Sequence, residues 1–259
     1  MNALQQQLWE KIREEAWSSS VSEPILGSFF YSTILNHQSL KSALSYQLAS
    51  RLDSPTMPAI LVREVIEEAF TEAPETLEAA MFDIIAVQER DPAVENYSTP
   101  LLYLKGFHVL QVHRVAHWLW NEKRIPLAQY LQNRCSVLFG VDVHPAAVIG
   151  KGIMFDHATG IVVGETAVIE DNVSILQGVT LGGTGKESGD RHPKIRQGVM
   201  IGAGAKVLGN IEIGIGAKIG AGSVVLDAVP AHTTVAGVPA KIVGTPSCDM
   251  PSLLMEQDL

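Results

Sequence analysis

The sequence predicts an α + β fold with an N-terminal α-helical domain over residues 1–140, a parallel β-helix over residues 141–245 and a C-terminal tail over residues 246–259. Two observations lead to this prediction. In the first half, apolar residues recur at the period of about 3.6 residues that amphipathic helices require. From Val143 onward they recur every six residues. A triangular solenoid has this second period, because each hexad forms one short strand and one corner, and three hexads make a coil of about 18 residues.

Prolines divide the first half into helices. Pro58 and Pro74 each fall in a predicted first turn, where the N–H that proline lacks would have no partner. The dipeptide Asp91-Pro92 ends the second of these helices. The predicted helices span residues 58–70, 74–90, 99–120 and 127–138.

Thirteen aliphatic or aromatic residues mark the six-residue repeat, with a slip of two residues after the third and an insertion after the seventh. They are Val143, Ile149, Phe155, Val163, Ile169, Ile175, Leu181, Ile195, Ile201, Val207, Ile213, Ile219 and Val225. Glycines that follow many of these positions supply the backbone freedom that tight corners need. The repeat does not fix the hand of the coil. About 98% of parallel crossovers are right-handed, so this general rule alone would favour a right-handed coil.

Composition limits the class of protein. Of the 259 residues, 46% are hydrophobic and 18% are charged, which is typical of a folded globular chain. A net charge of −9 argues against nucleic acid or an anionic membrane as a partner. Cys135 and Cys248 lie outside any CxxC motif, which favours a reducing cytoplasm over a disulfide scaffold or a zinc site. We expect a cytoplasmic protein, because the N-terminus shows no secretory signal and the apolar stretch 101–120 contains too many polar residues to span a membrane.

The insertion after Leu181 reads GGTGKESGDRHPK. A solenoid tolerates an insertion at a corner, and loops held on a rigid scaffold often carry function. The glycines suggest a phosphate loop, but the motif GxxxxGK[ST] is absent and no helix is predicted to follow. We therefore expect a functional loop that does not hydrolyse nucleotides.

Asp142 and His157 are fifteen residues apart, which is close to one coil, so a solenoid should bring them together. A carboxylate beside an imidazole fixes the tautomer of the ring and stabilises its protonated form, which makes a general base. Alternatively, both are polar surface residues at the slip in the repeat. Spacing alone does not decide between these interpretations.

Three stretches resemble the bacterial serine acetyltransferases of the hexapeptide-repeat acyltransferase family. They are DPAVENYSTPLLYLKGFHVLQVHR, the segment from VDVHPAAVIG through DHATG to GDRHPKI, and AGVPAKIVG near the C-terminus. The resemblance runs from Glu23 to Pro251, and the strings DHATG and GDRHPKI distinguish this family from other acyltransferases with the repeat. It implies a left-handed β-helix that carries the active site and a helical domain that mediates oligomerisation.

The resemblance also implies a role for each candidate residue. His157 would be the general base and Asp142 its partner. Independently of the resemblance, we expect backbone N–H groups of the Gly182-Gly183 turn to hold the oxyanion, because developing charge requires donors. Arg191 and His192 would bind the carboxylate of serine, and Asp91 and Asp156 would bind its amine. Glu165 would line the substrate pocket. Acetyl-CoA would lie between neighbouring subunits on Gly183, Ala203 and Ala221, with its phosphates near Lys218 and Lys241. Alternatively, Asp91 only ends a helix, Glu165 is a corner residue and the two alanines only complete the repeat.

By the same resemblance, the chain would convert L-serine to O-acetyl-L-serine in the first step of cysteine biosynthesis, with L-cysteine as an inhibitor. Acetyl-CoA would be a co-substrate, with no further cofactor and no metal. Independently of the resemblance, we expect trimers of prisms, because neighbouring prisms create clefts and closed symmetry is usual. The apolar helical surface of residues 1–140 predicts that two trimers pair into a hexamer. O-acetylserine sulfhydrylase would bind the C-terminal tail, although the ending SLLMEQDL lacks the final isoleucine typical of the family.

Other functions stay open. They are acetyl transfer to a sugar or a xenobiotic, a mainly structural role beside cysteine synthase, and a zinc-dependent hydratase on the same prism. The last requires several histidines at one metal. His108, His113 and His117 share one predicted helix with two tryptophans, which favours packing over metal binding.

Overall fold

The computed structural model describes residues 3–185 and 188–258, so Lys186 and Glu187 of the insertion lie outside the described residues. A 3₁₀ turn at Pro24–Leu26 and a π-helical turn at Tyr31–Leu35 interrupt the helices of the first half. None of the helices in this described part is long and apolar enough to cross a membrane. The helices are α1 (Ala3–Ser22), α2 (Gly27–Phe30), α3 (Leu40–Leu52), α4 (Ala59–Glu72), α5 (Pro74–Arg90), α6 (Ser98–Tyr103), α7 (Lys105–Asn121), α8 (Ile125–Phe139) and α9 (Pro251–Leu254).

The helix predicted over residues 99–120 is two helices in the structure. Leu104 adopts an extended conformation, with φ −90° and ψ 110°, and separates α6 from α7. The cause is tertiary. The start of α7 lies so close to the β-helix that a Cβ on Gly106 would overlap the carbonyl oxygen of Phe155. Only glycine fits at this close approach.

The second half forms short strands in three sheets, hydrogen-bonded in the orders β1-β4-β7-β10-β13, β2-β5-β8-β11 and β3-β6-β9-β12-β14-β15. The pairings are parallel except that of β14 with β15. The strands are β1 (Asp142–Val143), β2 (Val148–Ile149), β3 (Met154–Phe155), β4 (Val162–Val163), β5 (Val168–Ile169), β6 (Ser174–Ile175), β7 (Thr180–Gly182), β8 (Lys194–Ile195), β9 (Met200–Ile201), β10 (Lys206–Leu208), β11 (Glu212–Ile213), β12 (Lys218–Ile219), β13 (Val224–Val225), β14 (Thr234–Gly237) and β15 (Ala240–Gly244).

The predicted repeat positions point into the prism. Each is the second residue of a strand, and twelve of the thirteen are buried, while Ile149 is half-buried. The core of the prism is continuous with the core between the helices. Successive coils contain different numbers of residues. Asp142 pairs with Val162 twenty residues later, whereas the insertion separates Thr180 from its partner Lys206 by 26 residues.

The third sheet is covered and the other two are more open. Its outward side chains Met154, Ser174 and Met200 are buried. Helix α5 covers part of this face, where Arg90 donates to the Ser174 hydroxyl at 3.1 Å. The C-terminal tail covers the rest, and the Ser174 hydroxyl donates to the carbonyl of Ser252 at 3.0 Å. The candidate site lies along the two long edges of the prism face that the first sheet forms.

A buried ion pair between α5 and α7 connects the helical half to the prism through its further hydrogen bonds. Arg114 Nη2 lies 2.6 Å from Asp83 Oδ2, and the two side chains are 6% and 0% exposed. The other oxygen of Asp83 accepts the backbone N–H of Ile153 at 2.8 Å. Arg114 also donates to the carbonyls of Ile149 and Gly150. The helical half is thus fixed to the coil that leads into β3.

Candidate active site

The corner between β3 and β4 holds His157 in a strained turn. His157 and Ala158 have φ values of 53° and 63°, in the left-handed region that non-glycine residues rarely adopt. Such residues cost roughly 1–3 kcal/mol each and occur often at functional sites. Lys105 stabilises the turn, because its ammonium donates to the hydroxyl of Thr159 and to the carbonyl of Phe139. The imidazole itself is 75% exposed.

A cavity of about 370 Å³ lies beside this corner and is lined by Asp91, Asp156 and His157, with the start of α7 as its floor. Burial raises the pKa of Asp156, and the negative charge of Asp91 raises it further, while His157 opposes both effects. Asp91 ends α5 and also accepts the backbone N–H of Ala93 at 2.9 Å. The cavity therefore offers two carboxylates to a cationic group, next to an imidazole.

The corner between the first and second sheets holds the second group of predicted residues. Arg191 Nη2 lies 2.6 Å from Glu165 Oε2, and this hydrogen bond lowers the pKa of the Glu165 carboxyl. His192 is buried, and its ring lies so close to Gly164 that a Cβ there would overlap it. Burial, helped by the positive charge of Arg191, lowers the pKa of His192. A guanidinium and a neutral imidazole side by side suit a carboxylate ligand.

The predicted contact between Asp142 and His157 is wrong within one chain. No ion pair within 4.0 Å joins them among the residues described, and the carboxylate paired with His157 is Asp156, at 3.7 Å. The first coil has twenty residues, so fifteen residues do not complete it. The carboxylate of Asp142 instead accepts a hydrogen bond from Gln132 at 2.7 Å. Burial lowers the pKa of His144, and the negative charges of Glu165 and Asp142 oppose this shift, so Asp142 belongs with the second group.

The residues predicted to bind acetyl-CoA are also divided. Ala203 and Ala221 lie in corners between the third and first sheets, as His157 does, whereas Gly183 follows β7 on the side of Arg191. Lys241 is exposed on β15. Lys218 is buried in the third sheet, where it donates to the carbonyl of Asp258 in the tail. A phosphate would reach Lys218 only after the tail had moved.

Two residues were missed by the sequence analysis. Thr166 makes several hydrogen bonds to Arg191 and His192, and Lys105 holds the turn at His157. Neither stands in a motif with a known chemical role, so the sequence carried no signal for them. The histidines of α7 pack as expected: His108 Nε2–H donates to the carbonyl of Leu101 at 2.8 Å. Within residues 3–185 and 188–258, no group of three His, Cys, Asp or Glu side chains is arranged to hold a metal.

The candidate residues thus form two groups, along the two long edges of the prism face that the first sheet forms. One edge carries Asp91, Asp156 and His157, which suit an ammonium group and a proton transfer. The other carries Arg191 and His192, which suit a carboxylate. Neither group alone recognises a whole amino acid.

Known proteins resemble this chain over nearly its full length. The model of the serine acetyltransferase N-terminal region matches residues 8–112, and that of the bacterial transferase hexapeptide matches residues 192–227. A serine acetyltransferase of Salmonella typhimurium is 67% identical over 96% of this chain and 92% of its own. These matches cover the helical half and the prism alike.

Many solved structures are similar to it, and two of them contain ligands of interest. A serine acetyltransferase in complex with cysteine has a TM-score of 0.96 and 63% identity, covering 98% of this chain and 99% of that one. A serine acetyltransferase from Brucella abortus in complex with coenzyme A has a TM-score of 0.93 and 55% identity, covering 95% and 100%. The predicted fold, including the left hand of the β-helix, is confirmed. The chain belongs to the serine acetyltransferase family.

Proposed function

We propose that this chain transfers the acetyl group of acetyl-CoA to the hydroxyl of L-serine, releasing O-acetyl-L-serine and CoA. The observation that carries the proposal is the pair of groups on the first sheet. Two aspartates next to His157 match the ammonium of an amino acid, and Arg191 with His192 matches its carboxylate. Membership of the family supports the same reaction.

The two groups would combine between subunits. Three prisms in a closed ring would set the His157 edge of each chain against the Arg191 edge of the next, and closed rotational symmetry is the usual form of an oligomer. In this arrangement the carboxylate that orients His157 is the partner subunit's Asp142. The helical halves would then pair two trimers into a hexamer.

The reaction follows from these positions. Serine binds with its ammonium at Asp91 and Asp156 and its carboxylate on the partner subunit's Arg191 and the partner's His192. His157 accepts the hydroxyl proton as the oxygen attacks the thioester carbon. Backbone N–H groups of the turn at Gly183 hold the oxyanion. The C–S bond then breaks, and His157 returns the proton to the CoA thiolate.

Acetyl-CoA would lie in the groove between two prisms. Ala203 and Ala221 on one side and Gly183 on the other leave room for the pantetheine chain to approach the backbone. Lys241 is exposed and available to a phosphate. The coenzyme A complex of the Brucella abortus relative supports binding of this co-substrate.

We further propose that L-cysteine inhibits by occupying the serine site, since it differs from serine only by a thiol in place of the hydroxyl. The relative solved with cysteine supports this. The product would supply cysteine biosynthesis in the cytoplasm. O-acetylserine sulfhydrylase would bind the tail only beyond α9, because α9 and Ser252 lie against the third sheet.

CoA release with a panel of acceptors tests this function. We expect turnover with L-serine and little with D-serine, L-threonine or glucosamine. His157→Ala should reduce turnover at least about 100-fold, the scale of a lost general base. His232→Ala is a matched control, because His232 is also an exposed corner histidine of the prism with a positive φ, of 51°. Faster turnover with another acceptor, or equal loss in both variants, would contradict the proposal.

A further inference from the structure

Thr166 connects the loop that carries Arg191 and His192 to the corner of the prism. Its hydroxyl oxygen accepts the backbone N–H of Arg191 at 3.0 Å and that of His192 at 3.1 Å. These contacts join residues 25 and 26 positions apart in the chain. One hydroxyl therefore fixes the backbone from which the side chains of Arg191 and His192 project.

The same residue determines which nitrogen of His192 carries the proton. The backbone N–H of Thr166 points at His192 Nδ1 at 3.2 Å, and this group can only donate. The hydroxyl lies 2.9 Å from the same nitrogen. Because its oxygen already accepts two N–H groups, its own proton is free to go to Nδ1. With donors directed at it, Nδ1 must be the acceptor, so the ring carries its proton on Nε2.

The opposite nitrogen is left free to bind a ligand. Among the residues that the structure describes, no hydrogen-bond partner is found for His192 Nε2, and the Cδ2 and Nε2 atoms of the ring lie close beside Gly164. A carboxylate accepts hydrogen bonds and donates none, so an N–H at this position attracts it and a bare nitrogen would repel it.

We propose that Thr166 is the positioning residue of the carboxylate subsite, holding the Arg191–His192 segment on the prism corner and fixing the imidazole as the tautomer whose Nε2–H donates to the substrate. This inference rests on the proposed function, since it takes the substrate to be an α-amino acid. Asp190 is a second acceptor near the Thr166 hydroxyl. It is held at 2.5 Å by Lys194, so we assign the hydroxyl proton to His192.

The experiment compares Thr166→Val, which keeps the shape and removes the hydroxyl, with Thr166→Ser, which keeps the hydroxyl. Thr233→Val is the control, since Thr233 is a prism-corner threonine whose hydroxyl donates a hydrogen bond to the carbonyl of Ala231. Two readouts are taken on the full-length enzyme. They are kcat and KM for L-serine, and the protonation of His192 from the exchange of its ring C2–H by mass spectrometry without substrate.

We expect Thr166→Val to raise KM for serine about tenfold or more, the effect of leaving buried N–H groups unpaired, with a much smaller change in kcat. Exchange should show the His192 pKa rising in this variant, because a donor to Nδ1 that favours the neutral ring is lost. Thr166→Ser and Thr233→Val should behave like the wild type. An unchanged KM, an unchanged exchange curve, or equal loss in the serine variant would overturn the proposal.

A second pair of variants tests the tautomer directly, even if Thr166→Val does not fold. The amide nitrogen of glutamine at position 192 lies near the place of Nε2, and that of asparagine near the place of Nδ1. We expect His192→Gln to keep a lower KM for serine than His192→Asn, and the reverse order would refute the tautomer. Failure of the proposed function is a different result: the wild-type enzyme would not release CoA with serine, while exchange at His192 stays measurable.

Discussion

The buried pair of Asp83 and Arg114 gives the strongest test of how the two halves are joined. Asp83→Asn keeps the shape of the side chain but removes its charge. It also directs an N–H₂ group at donors, because Asp83 accepts from Gln111, from Arg114 and from the backbone of Ile153. The guanidinium would then remain buried with no counter-charge.

The expected loss of stability is large because water cannot reach the charge that would be left on Arg114. The two side chains are 0% and 6% exposed, and breaking a buried pair by removing one partner costs about 3–5 kcal/mol. Lys151 and Glu78 form the control, an exposed ion pair at 3.0 Å between the prism and α5. Their side chains are 44% and 47% exposed, and such surface pairs contribute about 0–1 kcal/mol.

Urea unfolding of the wild type, Asp83→Asn and Glu78→Gln measures the difference. Protein concentration is held constant, because assembly makes the apparent stability depend on it. We expect the midpoint for Asp83→Asn to fall by an amount several times that for Glu78→Gln. If the two variants lost the same small amount, the ion pair would not be what fixes the helical half to the prism.

Two further predictions concern inhibition and pH. L-Cysteine should inhibit competitively against serine. Arg191→Ala should weaken the binding of both ligands by about 2–4 kcal/mol, the range for losing a charged hydrogen bond. If this variant lost affinity for serine but kept its affinity for cysteine, the inhibitor would have a separate site. Burial lowers the pKa of His108 to about 4, so the unfolded state gains a proton that the folded state does not as pH falls from about 6.5. The contribution of His108 to stability should therefore drop by about 1.6 kcal/mol between pH 6.5 and 5. Thermal melts of His108→Gln should show a smaller drop than the wild type, and an equal drop would contradict this.

The repeat could be predicted from the sequence because the environment of each inward position is the same in every coil. Ile169, Ile195 and Ile213 succeed one another in the second sheet, so a six-residue period in the sequence is enough to identify the core. The break at Leu104 could not be predicted, because it depends on the approach of Gly106 to Phe155, residues 49 positions apart in the chain.

The site was only partly predictable for a related reason. Motifs indicated which residues carry chemistry, but their neighbours depend on the number of residues in each coil. The slip that places His157 in a left-handed turn also lengthens its coil to twenty residues, so Asp142 lies elsewhere. Thr166 was missed because its partners come from the insertion, whose path no local pattern specifies.

The central claim is that each active site combines the His157 edge of one chain with the Arg191 edge of its neighbour. Mixed oligomers test it most directly. His157→Ala and Arg191→Ala chains, each nearly inactive alone, are co-expressed with different tags, and the hybrid is purified and assayed for serine-dependent CoA release. With sites shared between subunits and random mixing, about one site in four regains both residues, so the hybrid should recover about a quarter of wild-type activity. A hybrid no more active than its two parents would contradict the claim.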